Sequence, residues 1–334
     1  MILLRHSLLL LVLLAGCKST EPPHIGEIVP HESRFEALIP KGAFVEKLAE
    51  GFEWSEGPVW VPAGQYLLFS DIPVNTIYRW DAGRGLHPYL RPAGYAWNDA
   101  PGLELGTNGL VLDSEGRLVM CDHGNRQIAR LDTTNYTKET LASSYNGKRF
   151  NSPNDLIYKS NGDLYFTDPP YGLRGLNEDP AKELPFNGVY RLRPSGEVTL
   201  LTRELSFPNG IAFSPDESTL YVANSDPQRP IWMAFDVLED GTLTNGRVFF
   251  DASELVARGL RGLPDGLKVD RQGNLFATGP GGVVVLSPEG THLGTIATGE
   301  LAANCAFGDD GSSLYITSDR LLARIRLNTM GLGF

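Results

Sequence analysis

The chain has 334 residues, 42% of them hydrophobic and 21% charged, which is enough to bury one large core or two modest ones. That balance excludes a disordered chain, and a formal net charge of −11 argues against a nucleic-acid partner, whose phosphates need a basic face. The 37 glycines and 23 prolines suit a fold with many tight turns.

The first residues read as a targeting segment. Arg5 and His6 precede a short apolar run, Leu8 to Leu14, too short to span a bilayer as a permanent helix. The run ends in Leu14-Ala15-Gly16-Cys17, which resembles a bacterial lipobox. The expectation is a signal peptide over residues 1–16 and a lipidated Cys17 that anchors the chain to a membrane. Lys18 after that cysteine resembles the sorting pattern for the outer membrane, so the expected location is the bacterial cell envelope, facing the periplasm. Residues 17–42, rich in Pro, Glu, His and Ser, read as a tether, and residues 43–334 as the folded body. Cys121 and Cys305 sit in apolar stretches of distant segments and are expected as buried free thiols.

The body repeats one plan six times. Copies open at Glu56, Asn108, Asn154, Asn209, Asp265 and Asn304, each followed by an apolar run, a polar turn and a second apolar run. Spacings between 39 and 56 residues match four short strands and their loops, the size of a propeller blade. Strands are expected at 110–112, 118–121, 127–131 and 140–142 in the second copy, and at 156–158, 164–167, 188–192 and 198–201 in the third. Ala252 to Gly259 is the one short helix expected. The last copy lacks a fourth strand, while Phe44 to Leu48 precedes the first copy without a partner. The predicted fold is therefore all-β, a six-bladed β-propeller closed by an N-terminal strand. A pair of β-sandwiches would leave the repeated openings unexplained.

In such a ring the first residue of each inner strand points toward one axis, and the loop after the second strand lies on the same rim. Singly, Asn-Gly and Asp-Gly are turn dipeptides. Six together are not, and Glu56 lies outside turn chemistry. Carboxylates and amides without His or Cys suit a hard cation, calcium first, with magnesium, manganese or zinc as substitutes. Glu56 and Asp265 would neutralise it, with Asn154 and Asn209 completing four protein ligands and leaving positions for water and substrate.

Five segments carry a family resemblance: SEGPVW (55–60), NSPNDL (151–156), DPPYGL (168–173), FPNGIAFSPD (207–216) and PDGLKVDRQGNLF (264–276). Together they resemble the gluconolactonase/regucalcin family over roughly residues 44–327. The DHGNR segment (122–126) and Asn108 resemble its bacterial gluconolactonase branch. The resemblance implies a six-bladed propeller with one divalent metal at the channel mouth, held by Glu56, Asn154, Asn209 and Asp265. It implies a metal-dependent hydrolase that opens a sugar lactone. Asp265 is the first choice for the base or water-orienting group, with Asp155 and His123 next; Asn108, His123 and Tyr171 are expected to contact substrate. Two other readings stand beside it: a phosphoester hydrolase on the same metal site, and a non-catalytic lipid-anchored binding module. No GxSxG segment supports a covalent serine route. Oligomeric state has no signal in the sequence.

Overall fold

A computed structural model describes residues 23–96 and 104–334 and shows six antiparallel blades forming a propeller. Blade one is Ser55–Val61, Tyr66–Asp71, Thr76–Asp81 and Gly85–Leu90, hydrogen-bonded in that order. Blade two is Thr107–Leu112, Leu118–Asp122, Gln127–Asp132 and Thr137–Ala142; blade three is Leu156–Tyr158, Leu164–Asp168, Gly188–Leu192 and Val198–Thr202. Blade four is Pro208–Phe213, Thr219–Asp226, Arg229–Val237 and Leu243–Asp251; blade five is Leu267–Val269, Leu275–Gly279, Gly282–Leu286 and His292–Ala297; blade six is Ala302–Gly308, Ser313–Ser318 and Leu321–Arg326. These contain the expected strands, lengthened by one to three residues at some ends. The short helix is Ser253–Ala257.

Period-two alternation makes each strand serve two neighbours. Leu67 and Phe69 pack with Tyr315 and Leu322 of blade six, while Leu68 between them packs with Leu118 and Met120 of blade two. The core is thus a ring of inter-blade layers. Cys121 and Cys305 are buried free thiols within it.

The ring closes as expected. Val45–Glu50 pairs antiparallel with Leu321–Arg326, and Arg324 meets Glu46 at 2.7 Å across that join. On the inner side, Ser55 Oγ donates to the carbonyl of Leu321 and accepts from the amide of Ser318.

The expected tether is corrected over residues 24–38, which are folded. His24–Ile25 adds an outermost strand to blade six, and Glu27–Pro30 adds a fifth strand to blade five. Helix Ser33–Leu38 then buries Phe35 and Leu38 in a cluster with Leu293, Ile296 and Leu327. The cause is sparse apolar spacing: Ile25, Ile28, Phe35 and Leu38 suffice to cover two exposed sheet edges, although the polar residues between them hide the pattern. The leader and Cys17 lie outside the described residues. No described helix is long and apolar enough to cross a membrane.

Candidate active site

Two devices recur around the ring and place the opening residues. The first is a clamp from the end of the second strand. Asp71 accepts from the amide of Trp54 at 3.1 Å, Asp168 from Ser152 at 2.8 Å, and Asn224 from Phe207 at 2.9 Å. Each clamped amide lies two residues ahead of an opening residue. These rim residues are thereby committed to backbone, with burial lifting Asp168 to about 7 against its two amide donors, Asn151 and Ser152.

The second device is a break in the inner ladder. Pairing between first and second strands skips just after Glu56, at Asn108, at Asn209 and just before Asn304, as a bulge does beside many active sites. The backbone released there bonds sideways: Gly109 N donates to Asn154 O, and Gly266 N to Ala303 O. The glycine after an opening residue is a point of contact between blades, not a turn. A Cβ on Gly57 would lie 2.0 Å from Asn108 O, on Gly210 2.2 Å from Asp265 O, and on Gly266 2.0 Å from the Asn304 amide carbon. Hydroxyls of the second strands brace the same ring, with Ser70 donating to Asn108 O and Thr167 to Asn209 O.

Five of the six opening side chains are buried where the blades meet, and Asp265 is half-buried. Glu56, Asn108, Asn154, Asp155, Asn209 and Asn304 are all 5% exposed or less. Asn304 Nδ2 donates to Glu56 Oε2 at 3.2 Å, and that oxygen also accepts from Gly57 N at 2.7 Å. Asn209 Nδ2 donates to Ser225 Oγ at 3.0 Å, and Ser225 in turn donates to the carbonyl of Pro264, just before Asp265. Tyr171 lies within the field of Asp265 and stacks on Phe207, ring centres 5.7 Å apart. His123 is 1% exposed, its Nδ1 bonded to Glu104 Oε2 at 2.6 Å.

Electrostatically the cluster is short of positive charge. Burial, with the nearby charges of Asp155 and Glu104, pushes Glu56 up to about 8 despite the Gly57 and Asn304 donors. Burial and the charges of Glu56, Asp155 and Glu104 push Asp265 well above the usual carboxylate range. Burial raises Asp155 as well, opposed by Lys268. Among the described residues, five buried side-chain atoms here find no hydrogen-bond partner: Asn108 Oδ1, His123 Nε2, Asp155 Oδ2, Asn209 Oδ1 and Asp265 Oδ1. Mutually repelling carboxylates beside orphaned amide oxygens fit a hard cation. Among the described residues no three His, Cys, Asp or Glu side chains are grouped to hold a metal by themselves, so a cation here would draw on amides too. A cavity of about 1120 Å³ opens at the other end of the axis, among Trp60, Arg117, Lys159, Lys268 and Phe334, and holds none of the opening residues.

Every site residue expected from the sequence thus falls in this end of the propeller or on its rim. Glu104 was not expected: it does not sit in a repeated position, so the repeat could not point to it, whereas Ser225 lies near the end of a second strand, on the expected rim. Where mammalian members of the resembling family carry a basic residue before the third-blade ligand, this chain has Ser152 and Pro153; the Ser152 hydroxyl donates to Pro169 O and accepts from Gly172 N, holding the Tyr171 loop.

Comparison with known proteins places this geometry. Residues 54–320 match the model of the SMP-30/Gluconolactonase/LRE-like region. The chain is 41% identical over 312 residues to a gluconolactonase of Zymomonas mobilis, covering 92% of this chain and 88% of that one. It superposes on a gluconolactonase structure from Xanthomonas campestris with a TM-score of 0.79 and 34% identity, covering 92% and 98% of the two chains. A calcium-binding regucalcin from Agrobacterium tumefaciens shares the fold, with a TM-score of 0.68, 20% identity and coverage of 85% and 94%. The chain belongs to the SMP-30/gluconolactonase/LRE-like family.

Proposed function

We propose that this protein is a metal-dependent lactonase that opens a sugar lactone by attack of water on the carbonyl carbon. The observation that carries the reading is the meeting of Glu56, Asp155 and Asp265, from blades one, three and five, beside unpartnered amide oxygens. Similarity to a bacterial gluconolactonase supports the choice of bond.

Glu56, Asn154, Asn209 and Asp265 would hold the cation, calcium before magnesium, manganese or zinc because every donor is oxygen. When bound, such an ion polarises the lactone carbonyl and stabilises negative charge on its oxygen. The chain supplies the rest. Asp265 orients the attacking water through its carboxylate, and Asn304 steadies Glu56 from the side by donating to it. Asn108 offers a bare amide oxygen to a substrate hydroxyl, and Tyr171, braced by Phe207, gives the sugar ring an apolar face.

The test is acid release from D-glucono-1,5-lactone in a pH-stat, with calcium and then with chelator. Hydrolysis above the spontaneous rate that stops on chelation supports the reading. No release in either condition favours a binding module, and release from a phosphoester instead favours the phosphoesterase. Anchoring at Cys17 in the cell envelope belongs to the same proposal. Sedimentation with membranes that is lost in Cys17→Ser tests it.

A further inference from the structure

One buried pair at the mouth stands apart from the four side chains assigned to the cation. His123 follows the last residue of a second strand, Asp122, and its ring is fully enclosed. Its Nδ1 meets Glu104 Oε2 at 2.6 Å, the length of a charge-assisted hydrogen bond. Its Nε2 is buried and has no partner among the described residues. A carboxylate accepts only, so Nδ1 carries the proton of this bond, and in the neutral ring Nε2 is left with a free lone pair. The pair stands beside the site, where a Cβ on Gly172, next to Tyr171, would lie 3.6 Å from His123 O, and the charge of Glu104 also acts on Glu56, Asp265 and Tyr171. Backbone fixes it there as well: Gly124 N bonds to Gly106 O, tying the turn after His123 to the strand entry after Glu104. Glu56 and Asp265 are needed to neutralise a cation, and a carboxylate so engaged is a weak base.

We propose that Glu104 is a positioning residue that holds His123 in one tautomer, so that Nε2 carries the proton through lactone opening. The proposal rests on the lactonase reading. As the water oxygen bonds to the carbonyl carbon, one water O–H bond breaks and its proton passes to Nε2. Glu104 stabilises the resulting imidazolium. When the ring C–O bond breaks, its electron pair stays on the ring oxygen, which takes the proton back from Nε2. The products are the hydroxy acid and neutral His123, with no other reactant consumed.

The experiment is a double-mutant cycle on the metal-loaded full chain, with Glu104→Gln, His123→Gln and the pair. Glu104→Gln is expected to lower kcat by about 10- to 100-fold with KM unchanged, and His123→Gln by about 100-fold or more. The double variant should be no slower than His123→Gln alone, because Glu104 acts only through the imidazole. Costs that multiply would overturn the proposal, as would a Glu104→Gln effect confined to KM. Proton NMR gives a readout apart from turnover: a far-downfield imidazole N–H signal in the wild type, lost in Glu104→Gln and in His123→Gln. Absence of that signal in the wild type also overturns it. A wild type that shows the signal but opens no lactone refutes the lactonase reading, and the proton-carrying role with it, while leaving the pairing intact; an active wild type with multiplying costs refutes the dyad alone.

Discussion

Glu56 and Asn304 lie 248 residues apart and meet across the join of the ring, the amide of one donating to Oε2 of the other at 3.2 Å. Closure of the propeller therefore bears directly on the site, because the carboxylate of blade one is held by an amide from blade six. The buried carboxylate is costly without a cation. Glu56→Gln should raise the melting temperature of chelated protein, because an amide costs less to bury than a carboxylate. The same variant should lose the further rise that saturating calcium gives the wild type. Differential scanning calorimetry with and without calcium checks both, and a calcium-dependent rise that survives would remove Glu56 from the cation site.

Contact between blades predicts the effect of a single methyl group. Gly210→Ala puts a Cβ against Asp265 O, which must shift. The expected cost is about 2 kcal/mol of stability, together with loss of most hydrolysis because Asp265 is displaced. Wild-type activity in a folded Gly210→Ala protein would show that the position of Asp265 is not critical.

Docking of the N-terminal segment is predicted to rest on Phe35, which is 1% exposed between blades five and six. Phe35→Ala should destabilise this segment by about 3 kcal/mol. Hydrogen exchange at Glu27–Pro30 would then be much faster, with exchange in blades two and three unchanged. Unchanged protection at Glu27–Pro30 would contradict the packing.

The same region carries a pH dependence. His292, close to His31 with ring centres 4.4 Å apart, is depressed from 6.5 to about 4 by burial, then by His31 and Arg258, against a bond to Gly294 O. Above pH 6.5 the ring is neutral whether folded or unfolded, and its contribution is fully present. As pH falls from 6.5 toward 4 only the unfolded chain takes up the proton, so stability is lost across that window and levels off below it. Melting temperatures recorded between pH 7 and pH 4 should fall less steeply in His292→Gln than in the wild type. Identical slopes would assign the loss to other groups.

How much of this was legible follows from what repeats. The blades, the closing strand and the six opening residues share one plan, and a plan copied six times shows through one sequence. What stands once did not show. Residues 24–38 cover two sheet edges with four apolar side chains in a polar segment, a signal too sparse to separate from a linker. Glu104 sits in a connection between blades, and only folding brings it to His123. Asp71 and Asp168 end second strands, yet the sequence could not reveal that their oxygens are spent on backbone amides. Asn-Gly taken singly is turn chemistry, and the sequence did not say why a glycine follows: Gly109 and Gly210 lie inside strands and are small because the next blade presses on them.

The central claim is that side chains from four blades share one cation and that hydrolysis depends on it. The most direct measurement is a calcium titration of chelator-stripped protein with lactone hydrolysis followed at each step. Activity rising from the spontaneous rate and saturating at one calcium per chain, with neither binding nor activity in Asp265→Ala, is the result expected. Stripped protein that turns over lactone as fast as loaded protein would contradict it.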